Sequence, residues 1–250
     1  MAATPPISRR DFTVREATTT FNDGQFIVEA FDSTLPFLGS IGSGEMWGSI
    51  PYSERPGFIE ETVKSVTESE QYALTGSGEA VLVLIAETEL SDTTTTEVPR
   101  EFRIRSDDEG RRFLAVGTAE IRQKPPSYII KQAHLAFKDF EQEGIKDLVY
   151  LEVVVADHRT GAACKGVGTA LIAGAVEYGR KLGKRYLYVD SVSRMLQLRN
   201  NSRSNVSSLS APRVAALEIY QLLTVFSGQV TGGSSIRKYL TMKIYEYLLT

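Results

Sequence analysis

The stretch LVYLEVVVADHRTGAACKGVGTALIAGAVEYGRKLGKRYLYVDSV, Leu148 to Val192, decides the fold. Leu148–Ala156 is almost continuously apolar and rich in β-branched residues, as a strand covered on both faces is. Gly166 and Gly168 follow. From Thr169, apolar residues recur at Ala170, Leu171, Ala173, Val176 and Leu182, the spacing of an amphipathic helix. Tyr186, Tyr188 and Val189 then restart a strand. The pattern is a βαβ crossover. Its glycine-bearing turn leaves backbone N–H groups free at a helix N-terminus, which makes an anion site of the kind that takes a pyrophosphate.

On the N-terminal side, residues 1–11 read as a disordered lead-in, and residues 12–250 as one domain. Phe12–Ala17 alternates and predicts a first strand. Phe26–Phe31 fits a short strand or the start of a helix. Asp32, Ser33 and Thr34 offer N-cap chemistry before Leu35, with Pro36 in the first turn, so a helix is expected from there to about Ile41. The GSGEMWGS loop carries Trp47, the only tryptophan, which either packs down to fix the loop or lines the mouth of a site. Phe58–Ser69 predicts a short amphipathic helix and Ala80–Glu87 a buried strand. Residues 88–112 read as a surface excursion with a strand at Glu101–Arg105. Phe113–Arg122 is the next strand, ended by Pro125 and Pro126, and Tyr128–Phe140 has helical spacing. Beyond Val192, residues 193–212 are dominated by Ser, Asn and Arg and read as a mobile loop. Arg213–Leu223 then predicts a helix, and Val225–Val230 and Tyr239–Leu248 predict closing strands.

The chain has 250 residues, enough for a substantial core. It is 42% hydrophobic and 24% charged, with net charge −3, which gives no electrostatic footprint for nucleic acid. The single cysteine, Cys164, excludes an internal disulfide, and two histidines beside it argue against a protein-only zinc site. No window nears the roughly 18 apolar residues of a membrane span. The N-terminus lacks the apolar core of a secretory signal. A cytoplasmic protein, monomer or homodimer, is the expectation.

The turn departs from two phosphate-binding patterns. A P-loop ends in Gly-Lys-Ser/Thr, whereas Lys165 here precedes the glycine. A dinucleotide fold needs a third glycine where Leu171 stands, near a first strand rather than late in the chain. The run Lys165-Gly166-Val167-Gly168-Thr169-Ala170-Leu171 instead resembles the acetyl-coenzyme A loop of the GNAT acyltransferases. The order of elements fits that family, and Ala216 and Tyr220 match its later helix. Ala30–Glu54 also resembles uncharacterised fungal members. Three departures stand out. Ala163 occupies the Arg/Gln position of the loop, the turn from Val155 to the glycines is longer, and Arg213 replaces an asparagine that precedes the tyrosine in many members.

The resemblance implies an α/β (α+β) domain whose central sheet is mixed, mostly antiparallel, splayed at the cofactor site and covered by helices on both faces. It implies acetyl transfer from acetyl-CoA to an amine acceptor by direct attack, with no metal. A non-catalytic acyl-CoA-binding module is the alternative. The loop Cys164, Lys165, Gly166, Val167, Gly168, Thr169 and Ala170 would hold the pyrophosphate, and Val154, Val155 and Ala156 would pair with the pantetheine arm. Tyr220 would protonate the leaving thiolate.

Glu152 is the one carboxylate inside the otherwise apolar strand Leu148–Ala156, where burial would raise its pKa toward that of a working base; the other reading is a residue paired with a neighbouring Lys or Arg, or one facing solvent at a strand end. Asp190, at the end of the next strand, is the second candidate at the substrate side. Phe37 and Trp47, with Phe31 and Tyr52, would form a partly apolar acceptor mouth.

Overall fold

The computed structural model describes residues 12–41, 44, 47–90, 102–124, 147–184, 186–192 and 239–244, the segments 190–192 and 239–244 by their backbone alone. Strands β1 (Phe12–Glu16), β2 (Val81–Leu90), β4 (Arg112–Arg122), β5 (Leu148–Ala156), β6 (Tyr186–Val192) and β7 (Tyr239–Ile244) lie side by side in that order, and β3 (Ile104–Ser106) pairs with β4. Every pairing is antiparallel except β5 with β6, which are joined through helix α3 (Val167–Lys181). The sheet is therefore mixed and mostly antiparallel.

Both faces of the central strands are buried. On β2, Leu82, Leu84 and Ala86 join the cluster that holds Val167, Leu171 and Ala175 of α3. Val81, Val83 and Ile85 alternate to the other face, against helix α1 (Asp23–Ser40) and helix α2 (Phe58–Thr75). This is why β2, β4 and β5 read as continuous apolar runs. Among the described residues no helix is long and apolar enough to cross a membrane.

Three elements differ from the sequence reading. A single helix α1 covers both Phe26–Phe31 and the segment expected to begin after Thr34. Phe26, Ile27, Ala30, Phe31, Thr34 and Leu38 keep one face buried straight through Pro36. A proline inside a helix costs about 3 kcal/mol, and burying each large apolar side chain returns about 1.5–3 kcal/mol. The presumed cap residues have other partners. Asp32 accepts hydrogen bonds from the backbone N–H groups of Tyr52 (2.5 Å) and Ser53 (3.2 Å), while Ser33 and Thr34 donate to the carbonyl of Ala30.

Helix α2 runs six residues past Ser69, to Thr75, and stops at Gly76, whose φ of 65° is left-handed. The excursion assigned to 88–112 begins later and returns sooner: β2 reaches Leu90, and β3 pairs with β4 from Ile104. The reason is charge. Glu87 is 1% exposed and is held between Arg15 of β1 (2.8 Å) and Arg105 of β3 (2.6 Å). Residues 91–101, and the helix expected at Tyr128–Phe140, lie outside the described residues.

Gly117 sits where β4, β5 and α3 converge. A Cβ there would lie 2.8 Å from the Val155 carbonyl oxygen and 3.0 Å from Val167. Gly117→Ala is expected to destabilise the fold by about 1–3 kcal/mol, the usual cost of overpacking. Urea unfolding measures it, and an unchanged midpoint would contradict this close approach.

Candidate active site

The site starts from an incomplete ladder. β5 and β6 pair only through Leu148–Tyr150 and Tyr186–Tyr188. Beyond that, β5 stays with β4 while β6 follows β7, as far as Val192 opposite Tyr239. The two strands part at their C-terminal ends, as expected. β5 also carries a bulge, because Ile121 faces Leu151 and Glu120 faces Val153, leaving Glu152 as the extra residue. Bulges bend a strand and re-aim its side chains.

After Ala156 the chain turns on Asp157, which is 1% exposed. Its carboxylate accepts from the N–H of Arg159 (3.1 Å) and from the Arg159 guanidinium, which also reaches Glu29 of α1 (3.0 Å). Arg103 joins Glu29 from the approach to β3 (3.1 Å). The longer turn seen in the sequence is therefore wound as two short 3₁₀ turns within His158–Cys164, kinked at Gly161 (φ 56°, ψ −120°). Ala163, at the position of the missing Arg/Gln, packs against the α3-side core.

Gly166, with φ 96°, lets the chain enter α3 at Val167, two residues before the expected start. Amides in a helix's first turn have no intrahelical acceptor and lie at the positive end of its dipole. Gly166, Thr169 and Ala170 stand at this helix start, where the Thr169 N–H turns back to the Gly166 carbonyl (3.1 Å). Lys165 is exposed beside it. The Cys164 thiol is buried and donates to the carbonyl of Gly161 (3.1 Å), so it holds the turn.

A largely apolar cavity of about 350 Å³ opens here. Val154, Val155 and Ala156 line it from β5, and Cys164, Lys165, Val167 and Gly168 from the turn. Phe37 and Trp47 line it too, so residues expected for the cofactor and for the acceptor meet in one space. Trp47 packs down against its neighbours and also lines this cavity. It is 5% exposed, with Phe31 and Tyr52 each 5.6 Å away, and its carbonyl accepts from Arg55 (2.5 Å). Its indole Nε1, which is buried, has no hydrogen-bond partner among the described residues. His158 also lines this cavity and stacks on Phe37 at 4.0 Å, with the rings 13° apart.

Glu152 is not in this cavity. It faces a second one, of about 570 Å³, between the sheet and α2. There Arg122 of β4 donates to Glu152 and also to Glu120. The ion-paired reading of Glu152 is thus the one realised. Glu120 escaped the sequence reading, although it carries the same signal, a lone carboxylate in an apolar strand. Burial first, and then the Glu152 charge, push its carboxyl up to about 7 against the pull of Arg122. Consecutive residues of β5 line the two cavities, Val153 the second and Val154 and Val155 the first. Asp190 is paired through its backbone with Thr241, and its side chain lies outside the described residues, as do Tyr220 and the 193–212 loop.

The sequence matches no protein-family model and no curated protein sequence. The solved structures similar to it include a GNAT-family acetyltransferase from Listeria monocytogenes, at 14% identity and a TM-score of 0.44 over 93% of this chain and 95% of that one. Another is the spermidine/spermine N-acetyltransferase of Vibrio cholerae, at 12% identity and 0.41 over 94% and 95%. A third is the GNAT-superfamily phosphinothricin acetyltransferase of Sinorhizobium meliloti in complex with acetyl-CoA, at 18% identity and 0.35 over 72% and 65%.

The His158 ring offers a direct check on the cavity wall. Burial lowers its pKa below the ordinary 6.5, against the opposing Asp157 charge. A depressed histidine contributes stability that is present above 6.5 and lost as pH falls through the folded value. NMR titration is expected to find His158 below 6.5 and to find it higher in Phe37→Ala. A titration at or above 6.5 in the wild type would contradict the buried stack.

Proposed function

We propose that this chain transfers the acetyl group of acetyl-CoA to an amine. The observation that carries the reading is the parting of β5 from β6 directly beside the first turn of α3. The resemblance of the Lys165–Leu171 run to the GNAT loop supports it.

The residues present fit the co-substrate. The amides of Val167 and Gly168, with Lys165 beside them, would hold its pyrophosphate. The open edge of β5 at Val154–Ala156 offers backbone donors and acceptors to the pantetheine amides. The apolar cavity suits the thioester end, and the orphaned Trp47 Nε1 supplies a further donor within its wall. A β5 N–H beside the thioester oxygen would stabilise the negative charge that grows there during attack. The amine would enter from the second cavity, whose Glu152 and Glu120 lie across Val153 from the cofactor side. Tyr220, by its match to the family helix, would return a proton to the thiolate.

Isothermal titration with acetyl-CoA tests this reading. Micromolar binding is expected, with a change in the fluorescence of Trp47. Lys165→Glu should weaken binding by about tenfold to a hundredfold, the worth of one charged contact of about 1.5–3 kcal/mol. Lys165 is exposed, so the fold should not suffer; Gly166 is a poorer probe because its φ of 96° strains any side chain. No binding by the wild type would overturn the proposal. Binding with no amine acetylated would favour the non-catalytic module.

A further inference from the structure

We propose that Glu120, rather than Glu152, takes the proton of the acceptor ammonium, and that Arg122 and Glu152 are its positioning residues. The inference rests on the amine-acetylation reading above. It starts from the bulge. Without the extra residue, Glu152 and Val153 would point to opposite faces of β5; with it, both face the second cavity. Glu120 stands directly opposite Val153, one position nearer than Glu152 to the open end of β5.

The three side chains share one cation. Arg122 uses Nε for Glu152 and a terminal nitrogen for Glu120. One guanidinium balances one carboxylate, so the trio is short of one positive charge when both acids are ionised. A proton on the more confined carboxyl, or an incoming ammonium, restores the balance. Glu120 has one further neighbour, the Ser65 hydroxyl of α2 at 3.5 Å. The rest of the surroundings sharpen the same bias. Helix α2 also turns Glu61, Lys64 and Glu68 to this cavity. Glu79, before β2, and Tyr52, before α2, complete the charged and titratable lining. Acids outnumber bases among these groups, which favours a cationic acceptor over an acidic one.

The chemistry balances. Ionised Glu120 takes one proton from R–NH₃⁺ and becomes the carboxylic acid, leaving R–NH₂. The nitrogen lone pair forms the N–C bond to the thioester carbon. The C–S bond breaks with its electron pair on sulfur, and the second nitrogen proton passes to that thiolate. Glu120 then releases its proton to water. A carboxyl that titrates near 7 can both accept and release this proton at neutral pH.

The test uses the full chain and a panel of a diamine, an amino-acid amide and a lysine peptide. With the first amine acetylated, kcat/KM is expected to rise with pH through about 7. Glu120→Gln should lose about 100-fold or more of kcat and flatten that limb, while Glu120→Asp restores part of both. Glu152→Gln frees Arg122 for Glu120 and removes the repelling charge, so its limb should move to lower pH, and kcat should fall less than in Glu120→Gln. Retained acetyl-CoA binding, read by Trp47 fluorescence, shows that each variant is folded. Loss of turnover in Glu152→Gln with Glu120→Gln active would overturn the assignment. So would a Glu120 carboxyl that ionises in the ordinary range by ¹³C NMR, whichever amine is used. A wild type that binds acetyl-CoA but acetylates no member of the panel would overturn the functional reading itself, and the assignment with it.

Discussion

Backbone amides and carbonyls inside a protein must find partners, and β5 has partners on one side only over most of its length. Three residues bind it to β6. From Leu151 onward, among the described residues, its second edge faces the gap left by the departing strand. An exposed sheet edge is a template for another strand. Here the edge is short and walled by α1 and by the turn into α3. An extended molecule bearing amides is the natural guest. The rest of the architecture serves this gap: β4 holds the other side of β5, Gly117 allows the close approach, and the 3₁₀ turn closes the end.

The gap divides two chemically different spaces. In the first cavity the walls are Phe37, Trp47 and the valines of β5, with the amides of the α3 start at one end. On the other side five glutamates, Glu61, Glu68, Glu79, Glu120 and Glu152, stand among aromatic, aliphatic and hydroxyl side chains. Phe31, Trp47, Tyr52 and Phe58 stand between them as one aromatic group, with ring centroids 4.6–5.6 Å apart. Arg55 lies 3.5 Å over the Tyr52 ring and holds the carbonyls of Trp47 and Ile50. The partition is therefore a packed element and not a loose loop.

Much of this was legible in the sequence where periodicity and composition agree. The β5–α3–β6 unit was, because an apolar β-branched run, a pair of glycines and a helical stripe leave few other folds. Helix α1 was misread because Asp32, Ser33, Thr34 and Pro36 imitate a helix start, while their actual partners lie elsewhere in the fold. Strand β3 was shifted because its place depends on Glu87, a buried charge whose two arginines are remote in sequence. Glu152 stood out as a carboxylate within an apolar strand, but its bond to Arg122 and its nearness to Glu120 follow from a strand register that no local pattern encodes. The roles expected of Tyr220 and the 193–212 loop fall outside the described residues.

The bulge at Glu152 also reverses the alternation of β5. Before it, Val149 and Leu151 face α3; after it, Val154 does, while Val153 and Val155 face α1 and α2. Loss or gain of one residue in this strand would send every later side chain to the wrong layer. A substitution in β5 that keeps an apolar side chain preserves both layers, whereas a change of length does not. The turn that follows is secured by charge rather than by register, so added residues there leave both layers in place.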